Sequence, residues 1–480
     1  GTSAGAIASG ACAAAEYGRA HGNSTAFEKL DDLPAILGEE IAAQGRSKLF
    51  TLFQPTEPLK RHFGVLVGTL NKMPADAIRS AVSAMLAMHP FIVAGCLLLA
   101  TLLLSALAQA QAHEIGWVTA FAVGAVAVLV ITIEIAVVGY IAVRGPTTTA
   151  VSIFLAVAVM AAVMRFWFRV EWSWHLVGIA VAMQIVGLLV IALLMAIVVI
   201  KFASTLLTGL HENGYGICSG RTESTDGKDV PGLTDWLTGY LNELAGLPPQ
   251  GPPLTFQHLW GTDDFRAKRI INLEVMTSAV SQQMAYAIPF RDGTPGFYYD
   301  PEQWAKLFPP NVMAWLANAQ AANPDGDSSD PMPKGALVID QAGKVLRALP
   351  RRADLPVVVA VRMSLSFPIL LSAIPLYQVD FSRTEVQRAK ASLVAAKATK
   401  RDITAEIVAT KVWFSDGGIG SNIPLHMFDS LLPGHPTFAV NLKPEHPDNT
   451  IKDPLRADNK GGRIYLPERK SDGRLRFWSE

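Results

Sequence analysis

Cysteine is scarce: Cys12, Cys96 and Cys218 are the only three in 480 residues. They stand far apart and without metal-ligand spacing, which excludes a disulfide framework and a zinc site. Charge of one sign is also missing. Lysine and arginine number 41, aspartate and glutamate 41, so nothing in the balance draws the chain toward nucleic acid. No glycine-rich nucleotide loop is present. No charged segment precedes an early apolar stretch, so no signal peptide is read. The chain opens on Gly1 rather than methionine and is expected to lack its true N-terminus.

Apolar residues are abundant instead. They make up 50% of the chain, with a mean hydropathy of +0.28. The excess is concentrated in four stretches, at 91–108, 115–143, 148–164 and 175–203. A spanning helix needs about 20 apolar residues. The second and fourth exceed that, the first suffices, and the third is short, with a re-entrant or buried helix as the alternative. If both flanks form one catalytic domain, an even number of spans is required, and four are expected. Lys60, Arg61, Lys72, Arg79, Arg144 and Lys201 fall on one side; "QAQAHE" on the other carries no Lys or Arg, while Arg165 and Arg169 are exceptions. That bias places the soluble parts in the cytoplasm. Trp117, Trp167, Trp172 and Trp174 fall at the opposite interface, where aromatic residues collect. Glu134 and Gln184 lie inside the apolar segments. For Glu134 a pairing with a neighbouring helix is favoured over a transport path, because no further charged residue lines one.

The first ten residues, "GTSAGAIASG", contain G-x-S-x-G. In a nucleophile elbow this pattern puts a serine on a strained strand-to-helix turn. The helix N-terminus then offers partial positive charge and free N–H groups to developing negative charge. Ser3 would be the nucleophile, with Gly1, Ala4 and Gly5 supporting the elbow. A chain this long and rich in Gly, Ala and Ser can also hold the pattern by chance, so it needs a partner. Near the other end, "FSDGGIGSNIPL" carries Asp416 after an apolar strand, followed by Gly417 and Gly418. Two glycines can hold a carboxylate in a tight turn, as a fixed general base requires. The bland alternative for D-G-G is an ordinary turn.

Between the motifs, "GLTDWLTGYLNELAG" (232–246) has helical periodicity. The run 355–377 starts as a β-branched buried strand and then meets Pro368 and Pro375, 382–410 reads as a solvated helix, and 411–431 as strand, turn and helix. Lys390, Lys397, Lys400 and Arg401 on the solvated helix could touch anionic headgroups, though a solvated face is the favoured reading. Strands alternating with helices point to an α/β layered sheet.

Taken together, the motifs resemble the patatin-like phospholipase family, specifically a bacterial, membrane-inserted and N-terminally truncated member. "GTSAG" is similar to the family's nucleophile element, and "SDGGIGSNIPL" to its aspartate element. "VRMSLSFPILLSAIPLY" resembles its serine-rich S-x-x-x-P stretch, where Ser364, Ser366 and Pro368 would line the substrate site. The likeness covers the start of the chain and most of 205–445. It implies a three-layer α/β/α hydrolase domain split into 1–88 and 205–480, with a transmembrane helical insertion at 89–204. It further implies lipid acyl hydrolysis by a Ser3–Asp416 dyad through an acyl-enzyme, without metal or cofactor. Partners would be a membrane lipid substrate and the bilayer, not nucleic acid. No oligomeric state is implied.

Three other readings stay open. A Ser-His-Asp hydrolase could recruit His426, His435 or His446. A degenerate hydrolase domain could serve as a scaffold or lipid-binding module. A transacylase would use an alcohol in place of water. One departure from the family pattern matters: the G-G-x-[RK] oxyanion loop that the family places before the serine has no counterpart here. Losing an oxyanion donor costs about 10²–10³ in turnover. The chain as it stands is therefore expected to be weak or inactive. Extension upstream should raise serine-dependent esterase activity by about that factor, and an esterase assay showing no gain overturns the expectation.

Overall fold

A computed structural model describes residues 1–41, 46–69, 74–111, 116–141, 174–223, 230–294, 296–322, 335–398 and 403–428, with Ala162, Arg165 and Pro333. The first helix, α1 (Ala4–Ala20), owes its form to alanine, the best helix former. Its small side chains also set how closely it packs. Ala6, Ala11, Ala14 and Ala15 are wholly buried. A Cβ added at Gly10 would stand 2.8 Å from the Val361 side chain.

A six-stranded sheet forms the centre. Its strands are β2 (Val275–Ala279), β3 (Met284–Ile288), β4 (Phe297–Tyr299), β6 (Arg347–Ala348), β8 (Ile374–Gln378) and β10 (Thr410–Ser415). Their order is β3-β2-β10-β8-β4-β6, and every neighbouring pair is antiparallel. The expected layering of helices and sheet is thus met in coarse form, as a mixed helix and sheet structure. Parallel pairing occurs in two short ladders, β1 (Gly216–Cys218) with β7 (Ile369–Leu371) and β5 (Ala336–Ile339) with β9 (Ala405–Val408). One neighbouring pair, β2 and β3, is joined by a short turn. Residues 280–283 link β2 to β3, closing on Gln283 at φ 55°.

Two elements differ in kind from expectation. The β-branched start of 355–377 is not a strand; from Val357 it is a buried helix, α7 (Val357–Ser364), every residue of which is buried. A run with no exposed face offers no alternation, so periodicity cannot separate strand from helix there. Pro356 stands at the N-cap with φ −65°, where its missing N–H costs nothing. Packing then overrides β propensity. Helix α7 shares one core with α1, α6 (Leu233–Leu244) and the sheet, through Leu237, Leu241, Val357, Val361, Val275 and Phe414. Of the solvated helix expected over 382–410, Thr384–Ala398 is helical, as α8; Ala405–Val408 is instead β9, because its backbone pairs in parallel with β5.

The apolar stretches are helical where described. Helix α2 (Pro74–Met88) meets α3 (Pro90–Gln111) at a break, and α4 (Trp117–Ile141) follows. The last, α5 (Trp174–Glu212), has 39 residues and a length of roughly 58 Å at 1.5 Å per residue. Its segment Val181–Glu212 is long and apolar enough to cross a membrane. Asp76–Met88 and Pro90–Ala106 pass the same test as a pair, bent by 90°. The expected span at 148–164 lies outside the described residues except for Ala162, and the side chain of Glu134 lies outside them too. Gln184 is buried in α5, whereas Ile185, Leu189, Leu193 and Ile200 are exposed.

Helix α5 runs unbroken through position 204, the expected domain boundary. Its last turns pack Leu206 and Leu210 against Leu52, Leu59 and Phe63. By contacts the chain divides into Gly1–Asn422, which holds every element above, and Ile423–Glu480. The described part of the second unit includes one helical turn, Leu425–Phe428.

Close packing of α1 yields a test. Ala14→Leu forces three extra carbons into a filled space and should cost about 1–3 kcal/mol. A lower denaturation midpoint for the detergent-solubilised variant is the expected reading.

Candidate active site

Ser3 occupies the N-cap of α1 with φ 51° and ψ −134°. A non-glycine residue at positive φ is uncommon, and strain of this kind costs on the order of 1–3 kcal/mol. Before it, the Gly1 carbonyl accepts from Met276 N (2.9 Å) and the Gly1 nitrogen donates to the Glu274 carbonyl (2.7 Å). That is the bonding pattern of a parallel strand. After Ser3 the helix begins at once, and the N–H groups of Ala4 and Gly5 head its first turn, where a helix supplies no acceptor. Ser3 makes no capping bond with its side chain. Its hydroxyl instead donates to Asp416 Oδ2 at 2.7 Å, across 413 positions of sequence.

Asp416 closes β10 and is 3% exposed. Its other oxygen, Oδ1, accepts from Gly418 N at 2.6 Å, and its own N–H donates to the Ser366 carbonyl at 3.0 Å. Both carboxylate oxygens and the backbone are therefore fixed. The glycines after it are required by contact. A Cβ at Gly417 would stand 2.1 Å from the Met276 carbonyl oxygen, and one at Gly418 would stand 2.9 Å from Asp416 Oδ1. Gly1 is equally confined, against Ser9 and the Gly5 carbonyl, whereas a Cβ at Gly5 meets nothing within 4 Å. Of the expected elbow glycines, Gly5 is the one without a steric role.

The three residues expected to line substrate divide. Ser364 and Ser366 are wholly buried. Ser364 Oγ accepts from Ser3 N at 3.1 Å, and Ser366 presents its carbonyl to Asp416. They hold the dyad, and only Pro368 is exposed. Its neighbours Phe367 and Ile369 are more than half exposed, as is Ile419 beyond the glycine turn. Ile369 has φ 69°, a strained setting for a β-branched residue.

Several supporting residues carry no sequence signal. Ser415 Oγ also donates to the Ser366 carbonyl (2.8 Å). Thr277 Oγ1 lies 2.9 Å from the Ser415 carbonyl and 3.2 Å from that of Met363. Ser278 Oγ accepts from Gly420 N (2.9 Å). Arg362, wholly buried, sits within a run that hydropathy reads as apolar. Two clefts of about 510 and 410 Å³, one beside Arg221 and Asp235, the other beside His21 and His258, are lined by other residues than the dyad. Of the three histidines that could complete a triad, His435 and His446 lie outside the described residues, as does the side chain of His426.

The glycine contacts separate two substitutions. Gly417→Ala pushes a methyl group into backbone and should cost about 1–3 kcal/mol. Gly5→Ala enters open space on a helix and should be neutral or stabilising by up to about 1 kcal/mol. Thermal melts of the two variants, falling for the first alone, check the contrast.

No protein-family model matches the chain, and no solved structure matches it. A curated protein of Rhizobium meliloti (strain 1021), named RpoH suppressor, is 30% identical over 296 residues. The match covers 56% of this chain and 42% of that protein. The chain thus spans about two fifths of the length of the curated relative it matches.

Proposed function

We propose that this chain is a membrane-anchored serine lipid acyl hydrolase of the phospholipase A or lysophospholipase type. Its hydrolase domain would be a patatin-like three-layer α/β/α body, held on the cytoplasmic face of a bacterial inner membrane by the apolar helices. The observation that carries the reading is the 2.7 Å bond from Ser3 Oγ to Asp416 Oδ2, made by a serine at positive φ on a helix N-terminus. A capping serine ordinarily bonds its own helix. This one turns to a carboxylate.

The chemistry follows from the geometry. Asp416 takes the Ser3 proton as Oγ attacks the ester carbonyl, and the oxyanion forms at the head of α1. The Ala4 N–H and the helix dipole stabilise that charge. The tetrahedral intermediate collapses, the carbon–oxygen bond to the alcohol breaks, and Asp416 returns the proton to the leaving oxygen. Water, deprotonated by Asp416, then attacks the acyl-Ser3 ester; the bond from Oγ to the acyl carbon breaks, Asp416 returns the proton to Ser3 Oγ, and the fatty acid leaves. Exposed Phe367, Pro368 and Ile369 offer an apolar wall for an acyl chain.

Asp416→Asn keeps an acceptor for Gly418 N but loses the base, a change worth about 10²–10⁴ in rate. The full-length protein should label with a fluorophosphonate probe and release fatty acid from phospholipid or lysophospholipid vesicles. Ser3→Ala should abolish both, and Asp416→Asn should slow hydrolysis by at least about 10². Labelling that survives Ser3→Ala, or vesicles left intact by the wild type, overturns the proposal and favours a scaffold.

A further inference from the structure

Arg362 is an arginine with no exposed surface. Burying a charge is expensive, and an apolar residue of similar volume is often as good for stability alone. Among the described residues no carboxylate pairs with it. Its acceptors are neutral: Nη1 donates to Ser366 Oγ at 2.6 Å, and Nη2 donates to the carbonyls of Ser219 and Ser372, both at 3.0 Å. Ser366 Oγ returns a bond to the Arg362 carbonyl at 2.9 Å. Burial pushes the guanidinium down to about 10, which leaves it charged at neutral pH. Burial pushes the adjacent Cys218 thiol up to about 12, so that thiol stays protonated and supplies no counter-charge.

The three acceptors come from two stretches of chain: Ser219 is 143 positions from Arg362, while Ser366 and Ser372 follow it at 4 and 10 positions. Ser219 follows β1, the strand that α5 enters. Ser372 lies between β7 and β8. Ser366 belongs to the turn after α7, and both halves of the dyad hang on that turn. Ser364 Oγ accepts from Ser3 N, and the Ser366 carbonyl accepts from Asp416 N and from Ser415 Oγ. A planar fork with several fixed donors suits such a junction; a lysine, with one point charge, does not. The backbone makes room for it at Gly220 (φ 89°), where a Cβ would stand 3.2 Å from Arg362 Nε.

We propose that Arg362 is the positioning residue of the Ser3–Asp416 dyad, fixing the 364–366 turn so that nucleophile and base stay in register. The inference rests on the hydrolase reading given above. It assigns Arg362 no contact with substrate.

The experiment uses the full-length protein and reads Ser3 labelling, kcat, KM and Tm together. Arg362→Lys keeps the charge and loses the fork. A misplacement of about 1 Å costs about 10² in rate, so kcat should fall by about that factor with KM within about three-fold, the mark of an interaction that matters in the transition state. Ser366→Ala removes one arm of the clamp and leaves the backbone carbonyl. It should lose about 10-fold in kcat and serves if Arg362→Lys does not fold. Leu316→Ala, a buried change on the helix Pro310–Ala322, supplies a matched loss of Tm and should keep its kcat. If wild-type Ser3 labels and hydrolyses while Arg362→Lys or Ser366→Ala keeps full kcat, positioning is overturned and the hydrolase stands. Loss of kcat in Leu316→Ala to the same degree also overturns it, since stability alone then explains the effect. A wild type that neither labels nor hydrolyses removes the hydrolase reading, and this inference with it.

Discussion

One hydrogen bond joins residues 413 positions apart, Ser3 and Asp416. Its entropic cost grows only with the logarithm of the loop, so the length of the intervening chain is not the main difficulty. Direction is. Ser3 must sit at φ 51° to aim its hydroxyl away from its own helix, and Asp416 must be carried there by β10, in the interior of the sheet. Burial of α1, α7 and the sheet face against one another holds both ends still enough for a short, charge-assisted contact.

Small residues make that closeness possible. The alanines of α1 leave no side chain to hold the helix off its neighbours. Gly10 admits Val361, and Gly417 admits the Met276 carbonyl. The same economy appears between the apolar helices, where a Cβ at Gly124 would stand 2.5 Å from the Thr101 carbonyl. In a membrane, where lipid is as apolar as leucine, close packing of this type is what drives helices together. One packing rule therefore serves both the body and the apolar block.

The Ser3–Asp416 contact was legible because each of its two motifs is local in sequence. A serine between glycines and an aspartate before two glycines each describe a turn, and a turn is specified by a few residues. Helices α6 and α8 were legible from their amphipathic or charged periodicity. Helix α7 was not. With all of its residues buried it has no polar face to set a period, and valine suggested a strand. The clamp around Arg362 was hidden for a related reason. Its partners are carbonyls of residues 219 and 372, and a backbone oxygen leaves no mark in a sequence. Ser364 and Ser366 were picked out, but as lining of the substrate site; their burial depends on contacts with distant parts of the chain, such as Ser3.

The junction between α5 and the sheet has a mechanical meaning. The helix ends at Glu212, and β1 begins at Gly216. In between, the Gly214 carbonyl accepts from Ala373 N at 2.8 Å, and Tyr215 stacks edge-on against Trp413 at 5.2 Å. No slack chain separates rod from body. A flexible tether would let a domain swivel freely and sample every approach to a surface. Here the helix is joined to the sheet by direct contacts at Gly214 and Tyr215, so the direction in which the helix leaves the body is tied to the position of Ser3.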